Sequence, residues 1–209
     1  MHYLHEFLML TLIHFLAVIS PGPDFAIVLR QSISFGRKTA IITSLGIGAG
    51  IAIHVIYTVL GIGLLISQSS YLMLSAKVLG AAYLTYLGIN LLSSKATTNQ
   101  ANPLDTNSNK KDQQKAFSIG FMTNVFNPKA TLFFLAIFTT IVSPNTPIAI
   151  QSIYGIWIVL TTAAWFSLVS FLFSKESVRQ RFVKQGYWFE RVMGGILLIF
   201  AGELFFSLI

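Results

Sequence analysis

The chain has 209 residues, of which 54% are hydrophobic and only 10% are charged. A soluble domain carries roughly 25% charged residues, and a domain of this size has too little interior for so much apolar surface, so an ordinary soluble globular protein is excluded. The net charge of +7 does not indicate nucleic-acid binding, because the basic residues lie in short segments between apolar runs, and the absence of cysteine excludes disulfides and thiol chemistry.

Six apolar runs are long enough to cross the hydrocarbon core, which takes about 20 residues. In chain order they cover residues 7–29, 40–66, 72–93, 117–142, 148–173 and 188–209. The first run is predicted to be a retained span rather than a signal peptide, because the leader before it contains no Lys or Arg. The sequence therefore predicts an all-α membrane protein with six transmembrane helices.

The connections between the runs predict an orientation. Lys and Arg are concentrated in the first, third and fifth connections, at residues 30–39, 94–116 and 174–187, and are almost absent from the second and fourth. Because cytoplasmic loops carry an excess of Lys and Arg, both termini are predicted to lie outside a bacterial inner (plasma) membrane. Residues 94–116, which are rich in Thr, Asn, Gln and Ser, are interpreted as a cytoplasmic linker.

A weak internal repeat relates the two sides of this linker. Residues 77–93 of the third run match residues 191–207 of the sixth, and the first and fourth runs both contain proline away from their ends. Two halves of three spans each must run in opposite directions, as in many secondary transporters. Residues 1–93 and 117–209 are therefore predicted to form a 3+3 inverted repeat. Chance agreement between apolar segments rich in Gly and Leu is the alternative.

Proline breaks are predicted in the first and fourth spans. Proline removes a backbone donor and clashes with the preceding turn, and broken backbone at membrane depth is tolerated only within protein or beside a wet cavity. Each span is expected to restart as a half-helix whose free N–H groups attract carboxylates. The predicted substrate-binding residues are Pro21, Gly22, Pro23, Asp24, Asn127, Pro128 and Lys129. The alternative is a pair of packing kinks without a ligand.

Asp24 is the residue most strongly marked for function. A charge near the bilayer centre costs at least about 2.5 kcal/mol, and residues that bear this cost generally line a pathway or relay protons. We expect Asp24 to bind a substrate ammonium group, to exchange a proton, or to do both in turn; a structural ion pair with Lys129 is the alternative. His14 and His54 are interpreted as hydrogen-bonded to neighbouring helices and Glu203 as reaching the outer interface, with their functional roles left open.

Other patterns favour packing over chemistry. Gly46-x-Gly48-x-Gly50 lies within an apolar run, so it is interpreted as a small-residue helix contact rather than a dinucleotide fingerprint. Asp24 has no second membrane-embedded aspartate beside it in the sequence, and no common catalytic motif occurs. The sequence therefore predicts neither an enzyme nor a cofactor or metal site.

With these residues identified, the sequence resembles the lysine-exporter (LysE) superfamily, in its homoserine/threonine efflux branch. The matching stretches are Ser20-Pro21-Gly22-Pro23-Asp24-Phe25, residues 46–50, residues 80–88 and Asn127-Pro128-Lys129-Ala130, and the similarity covers nearly the whole chain except the third connection. The resemblance implies export of small neutral amino acids of the threonine or homoserine type, driven by the proton-motive force.

The predicted partners are thus an amino-acid substrate, protons and the lipid bilayer, without nucleic acid; a homo-oligomer is compatible with the sequence. Four rival functions are a non-transporting membrane scaffold or assembly factor, an exporter of another small metabolite, a passive channel and an intramembrane enzyme. The enzyme would need a nucleophile–base or paired-acid arrangement that the sequence does not supply.

Overall fold

The computed structural model describes residues 2–20, 22–93, 113–143 and 145–206. Over these ranges the chain forms seven helices and no strands, which confirms the all-α prediction. In chain order they are α1 (His2–Ile19), α2 (Pro23–Gln68), α3 (Ser70–Leu92), α4 (Gln113–Val125), α5 (Pro128–Thr140), α6 (Ile148–Leu172) and α7 (Glu176–Phe206). Pro21, residues 94–112 of the predicted linker and residues 207–209 of the sixth run lie outside the described ranges.

Three segments are long and apolar enough to cross a membrane, namely α1, the part of α2 over Pro23–Gly61, and α6. The helices α4 and α5, which are bent by 55° at the short break between them, supply a fourth if the pair forms one span. Large apolar side chains cover the outside of the molecule; Leu60, Ile156 and Trp188 are 60%, 60% and 61% exposed. Such a surface suits lipid, because soluble monomers rarely expose large contiguous apolar patches.

Several helix ends differ from the predicted connections. Helix α2 continues through residues 30–39 and is interrupted only at Gly36, whose φ of 81° and ψ of 171° are not helical. Glycine adopts this conformation without a Cβ clash, so residues 23–35 and 37–68 are two helices joined at Gly36. Helix α7 begins at Glu176, inside the fifth connection, and α4 begins at Gln113. The length of an apolar run reflects the thickness of the bilayer. Lys, Arg and Gln also have high helix propensity, so a helix can continue beyond its apolar part.

The half-length helix α5 is the most enclosed element. Six of its residues are at most 4% exposed: Phe133, Phe134, Ala136, Ile137, Phe138 and Thr139. Helix α5 packs against α2 and α3, while α2 also contacts α4 and α6, and α3 contacts α7. The residues at the start of α5 are therefore held inside the protein rather than at its surface.

Glycines bring α2 and α4 into backbone contact. A Cβ on Gly46 would overlap the carbonyl oxygen of Phe117, and one on Gly120 would overlap the carbonyl oxygen of Thr43. The Thr43 hydroxyl also donates to the carbonyl oxygen of Ala116 at 3.1 Å. The predicted packing role of Gly46 is confirmed, and the close approach sets the distance between α2 and α4.

Candidate functional site

Two interruptions of the helical chain face one cavity. Helix α1 ends at Ile19 and α2 begins at Pro23, while α4 ends at Val125 and α5 begins at Pro128. Ser20 and Gly22 from the first interruption and Asn127 from the second line the same cavity. The site is thus assembled from backbone irregularities that are about 100 residues apart in the sequence.

Asp24 lies in the first turn of α2, where the positive end of the helix favours an anion. Its Oδ2 atom accepts hydrogen bonds from Nδ2 of Asn124 at 2.9 Å and from Nδ2 of Asn127 at 3.0 Å. Its Oδ1 atom is buried and finds no hydrogen-bond partner in the part of the chain that the structure describes. Because an ionised carboxylate accepts on both oxygens, Oδ1 is an open acceptor.

Asn127 uses both ends of its side-chain amide. Its Oδ1 caps α5 by accepting from the backbone N–H of Lys129 at 3.0 Å, with Pro128 at the first helical position. Its Nδ2 donates to Asp24. The position of the Asp24 carboxylate is therefore tied to the start of α5.

Lys129 makes the reciprocal contact. Its Nζ donates to the backbone carbonyl oxygen and to the hydroxyl oxygen of Ser20, both at 3.0 Å. Ser20 follows the last residue of α1, where carbonyl groups lack partners within the helix and the helix dipole is negative. The stem of Lys129 passes over Gly22, where an added Cβ would lie 3.4 Å from Lys129 Cδ and Nζ. Lys129, which follows the second interruption, thus contacts Ser20 in the first. Asp24, which follows the first interruption, is contacted by Asn127 in the second.

His54 supports the Asn124 side of this network. In the neutral ring Nε2 donates to the carbonyl oxygen of Asn124 at 2.9 Å, so Nδ1 accepts from the hydroxyl of Tyr57 at 2.7 Å. The ring is 1% exposed and stacks on Phe134 with centroids 5.7 Å apart. The interpretation of His54 as hydrogen-bonded to a neighbouring helix is confirmed.

His14 is likewise hydrogen-bonded to a neighbouring helix, as interpreted from the sequence. Its Nε2 lies 2.9 Å from the hydroxyl oxygen of Thr162 in α6, and the side chain also lines the cavity. The side chain of Glu203 lies outside the described part of the structure.

The cavity has a volume of about 50 Å³. Its polar lining comes from Ser20, Asp24, Asn127 and Lys129, with His14 further along α1. The rest of the wall is apolar or aromatic: Ala17, Val18, Phe25, Ile51, Ala130, Phe133, Phe134 and Phe166. The volume suffices for a few water molecules and is far below the roughly 300–1,000 Å³ of ordinary small-molecule sites. The cavity must widen before a small molecule can enter.

The predicted site residues occupy different positions around this cavity. Gly22, Asp24, Asn127 and Lys129 line it, whereas Pro23 and Pro128 are exposed helix starts. Pro21 lies outside the described residues. Asn124, which supplies the second amide to Asp24, was not among the predicted site residues; a second asparagine three residues before Asn127 was the available signal in the sequence. Among the described residues, no cluster of His, Cys, Asp and Glu could hold a metal ion.

A second buried carboxylate lies away from the cavity. Glu6 of α1 is 2% exposed and accepts from the backbone N–H of Ser143 at 2.9 Å, from the Thr146 hydroxyl and from the Tyr154 hydroxyl at 3.2 Å. These contacts attach the start of α1 to the turn between α5 and α6. The sequence offered no signal for this role, because Glu6 stands in a short leader beside polar and aromatic residues.

Comparison with known proteins indicates one protein family. The family model described as LysE type translocator matches residues 15–208. The chain is 29% identical to the threonine efflux protein of Escherichia coli K12 and to that of Salmonella typhi, over 96% of this chain and 98% of each relative. It is 28% identical to the uncharacterized membrane protein YrhP of Bacillus subtilis, over 94% of this chain and 97% of that protein. No solved structure matches the chain.

Proposed function

The chain belongs to the family of LysE type translocators, and on that premise we propose that it is a secondary transporter that exports small neutral amino acids, of the threonine or homoserine type, from the cytoplasm. The observation that carries the proposal is the Asp24 carboxylate, which is held by two amides through Oδ2 and open at Oδ1. A buried open acceptor beside a cavity is suited to an ammonium group. The threonine efflux proteins among the relatives favour this cargo class.

We assign the substrate carboxylate to Lys129, the positively charged residue in the same cavity. Lys129 supplies an ammonium group, and the start of α5 supplies the positive end of a helix. In this structure the Lys129 ammonium binds Ser20 at the end of α1. A substrate carboxylate would replace these neutral oxygens with an ion pair, in which both the donor and the acceptor are charged.

We assign the helices to six spans in two inverted halves. The first half consists of α1 with residues 23–35, residues 37–68, and α3; the second consists of α4 with α5, then α6, then α7. Two contacts support the pairing of halves. Asp24, in the first turn after the first interruption, accepts a hydrogen bond from Asn127 in the second. Lys129, in the first turn after the second interruption, donates to Ser20 in the first. Helices α3 and α7, which are counterparts in this scheme, pack on each other at Gly88 and Gly194.

Alternating exposure of the cavity follows from this arrangement. Rocking of one half against the other would open the cavity to the cytoplasm and then to the outside, with both termini outside the inner membrane. Proton uptake by Asp24 from outside would release the substrate ammonium and reset the carrier. One charge moving inward through about 100 mV yields roughly 2.3 kcal/mol, which supports about fifty-fold accumulation outside.

Export from intact cells tests the proposal. Cells that lack their own threonine exporters are loaded with a threonine-containing dipeptide, and threonine appearing in the medium is measured with and without the protein. We expect faster export with the protein, slowed by an uncoupler. Equal export with the protein and with an empty vector would exclude the function and favour a non-transporting scaffold.

A further inference from the structure

One polar side chain interrupts the apolar part of the cavity wall. The polar lining residues Ser20, Asp24, Asn127 and Lys129 gather at the helix interruptions, whereas His14 lies among apolar neighbours on α1 and α5. His14 is 4% exposed, and its ring lies 6.3 Å from that of Phe133. An apolar substrate side chain would be served better by an apolar residue at this position.

The ring of His14 is fixed at one nitrogen. Nε2 lies 2.9 Å from the hydroxyl oxygen of Thr162, which is itself fully buried in α6. Nδ1 makes no hydrogen bond within the part of the chain that the structure describes. If Nε2 donates to Thr162, then Nδ1 is an acceptor; if Nε2 accepts, then Nδ1 is a donor. A hydroxyl group can pair with Nδ1 in either case, whereas a methyl group can pair in neither.

The position of His14 on α1 suits a small hydroxylated amino acid. His14 and the charged residues Asp24 and Lys129 line the same cavity. His14 lies less than two helical turns before the end of α1. A substrate whose charged groups lie at Asp24 and Lys129 therefore needs only a short side chain to bring a hydroxyl group to His14.

We propose that His14, oriented by Thr162, binds the side-chain hydroxyl of the substrate and so makes the site selective for hydroxylated amino acids over aliphatic ones of the same shape. This inference rests on the proposed function and adds the residue that decides between substrates. Discrimination arises because an aliphatic analogue that fills the cavity excludes water from Nδ1 without giving it a hydrogen-bond partner, and sites built to bond a hydroxyl reject analogues that lack it.

Comparing the transport of threonine with that of valine tests the inference, because valine has a methyl group in place of the threonine hydroxyl. Uptake of labelled threonine or valine into inverted membrane vesicles is measured for the wild type, His14→Leu and His14→Gln. We expect the wild type to prefer threonine at least about tenfold. We expect His14→Leu to bring the ratio near one while valine is still carried, and His14→Gln to keep part of the preference.

Two further variants complete the design. Thr162→Val removes the partner of Nε2, so the preference is expected to fall even though His14 is present; this variant also serves if His14→Leu does not accumulate in the membrane. His5→Leu changes an exposed histidine of the same helix and is expected to leave the ratio unchanged. A wild type that carries valine as well as threonine, or an unchanged ratio in His14→Leu and Thr162→Val, overturns the inference while leaving amino-acid export intact. Failure to carry any amino acid overturns the proposed function as well.

Discussion

Asn127 donates to the carboxylate of Asp24 across 3.0 Å while the other end of the same amide caps α5. The two residues stand at the two helix interruptions, so a single side chain joins them. Any movement of the start of α5 therefore displaces a donor from Asp24. This coupling gives a physical route from substrate binding at Asp24 to movement of one part of the protein relative to the other.

Substitutions at Asn127 separate its two tasks. Asn127→Ser keeps a good helix cap but is too short to reach Asp24, whereas Asn127→Ala removes both functions. A hydrogen bond to a charged group contributes about 1.5–3 kcal/mol, so both variants are expected to lower threonine export about tenfold or more. Thermal unfolding in detergent should show Asn127→Ala less stable than Asn127→Ser by about 1 kcal/mol. Wild-type export by Asn127→Ser would show that the Asp24 contact is dispensable.

Gly50 controls the position of the second amide. A Cβ at Gly50 would lie 2.7 Å from Oδ1 and 2.8 Å from Cβ of Asn124. Because the Cβ of Asn124 is fixed by the α4 backbone, Gly50→Ala must displace that helix, at a cost of about 1–3 kcal/mol. We expect lower thermal stability and reduced export. Gly61→Ala in the same helix is the matched control, since among the described residues the added Cβ meets nothing within 4 Å beyond its own helical turn. Equal export by the two variants would contradict the assigned role of Asn124.

Glu6 is expected to stabilise the fold. Glu6→Ala leaves the Thr146 hydroxyl and the Ser143 N–H without their acceptor, and each buried unsatisfied group costs about 1–3 kcal/mol. The melting temperature should fall clearly for Glu6→Ala and less for Glu6→Gln, which still accepts through one oxygen. His2→Ala serves as the control, because His2 contacts Glu6 at 3.0 Å but is 68% exposed, and exposed ion pairs contribute only about 0–1 kcal/mol. Similar melting temperatures for Glu6→Ala and His2→Ala would refute the anchoring role.

The sequence predicted the helical class, the membrane location and the family, because these depend on composition and on short motifs around proline. It could also group Gly22, Asp24, Asn127 and Lys129 as candidates, since a broken helix exposes backbone groups at a known place. It could not supply Asn124 as the second donor to Asp24, because that contact depends on the crossing of α2 and α4 through Gly46 and Gly120.

Two other features could not be predicted from the sequence, for a different reason. The helical extension of α7 back to Glu176 lies beyond the apolar run from which the span was predicted. The anchoring of Glu6 depends on a turn more than 130 residues away. Hydropathy predicts which segments lie in the membrane, whereas these features depend on helix propensity outside the membrane and on how the helices pack against one another.

Threonine uptake into inverted membrane vesicles with an acid interior tests the central claim most directly, because it isolates Asp24 and the proton gradient from cell metabolism. The wild type is predicted to accumulate labelled threonine and to lose it when the gradient is collapsed, and Asp24→Asn, at equal abundance in the membrane, is predicted to show only background uptake. Accumulation by Asp24→Asn at the wild-type rate would contradict the account.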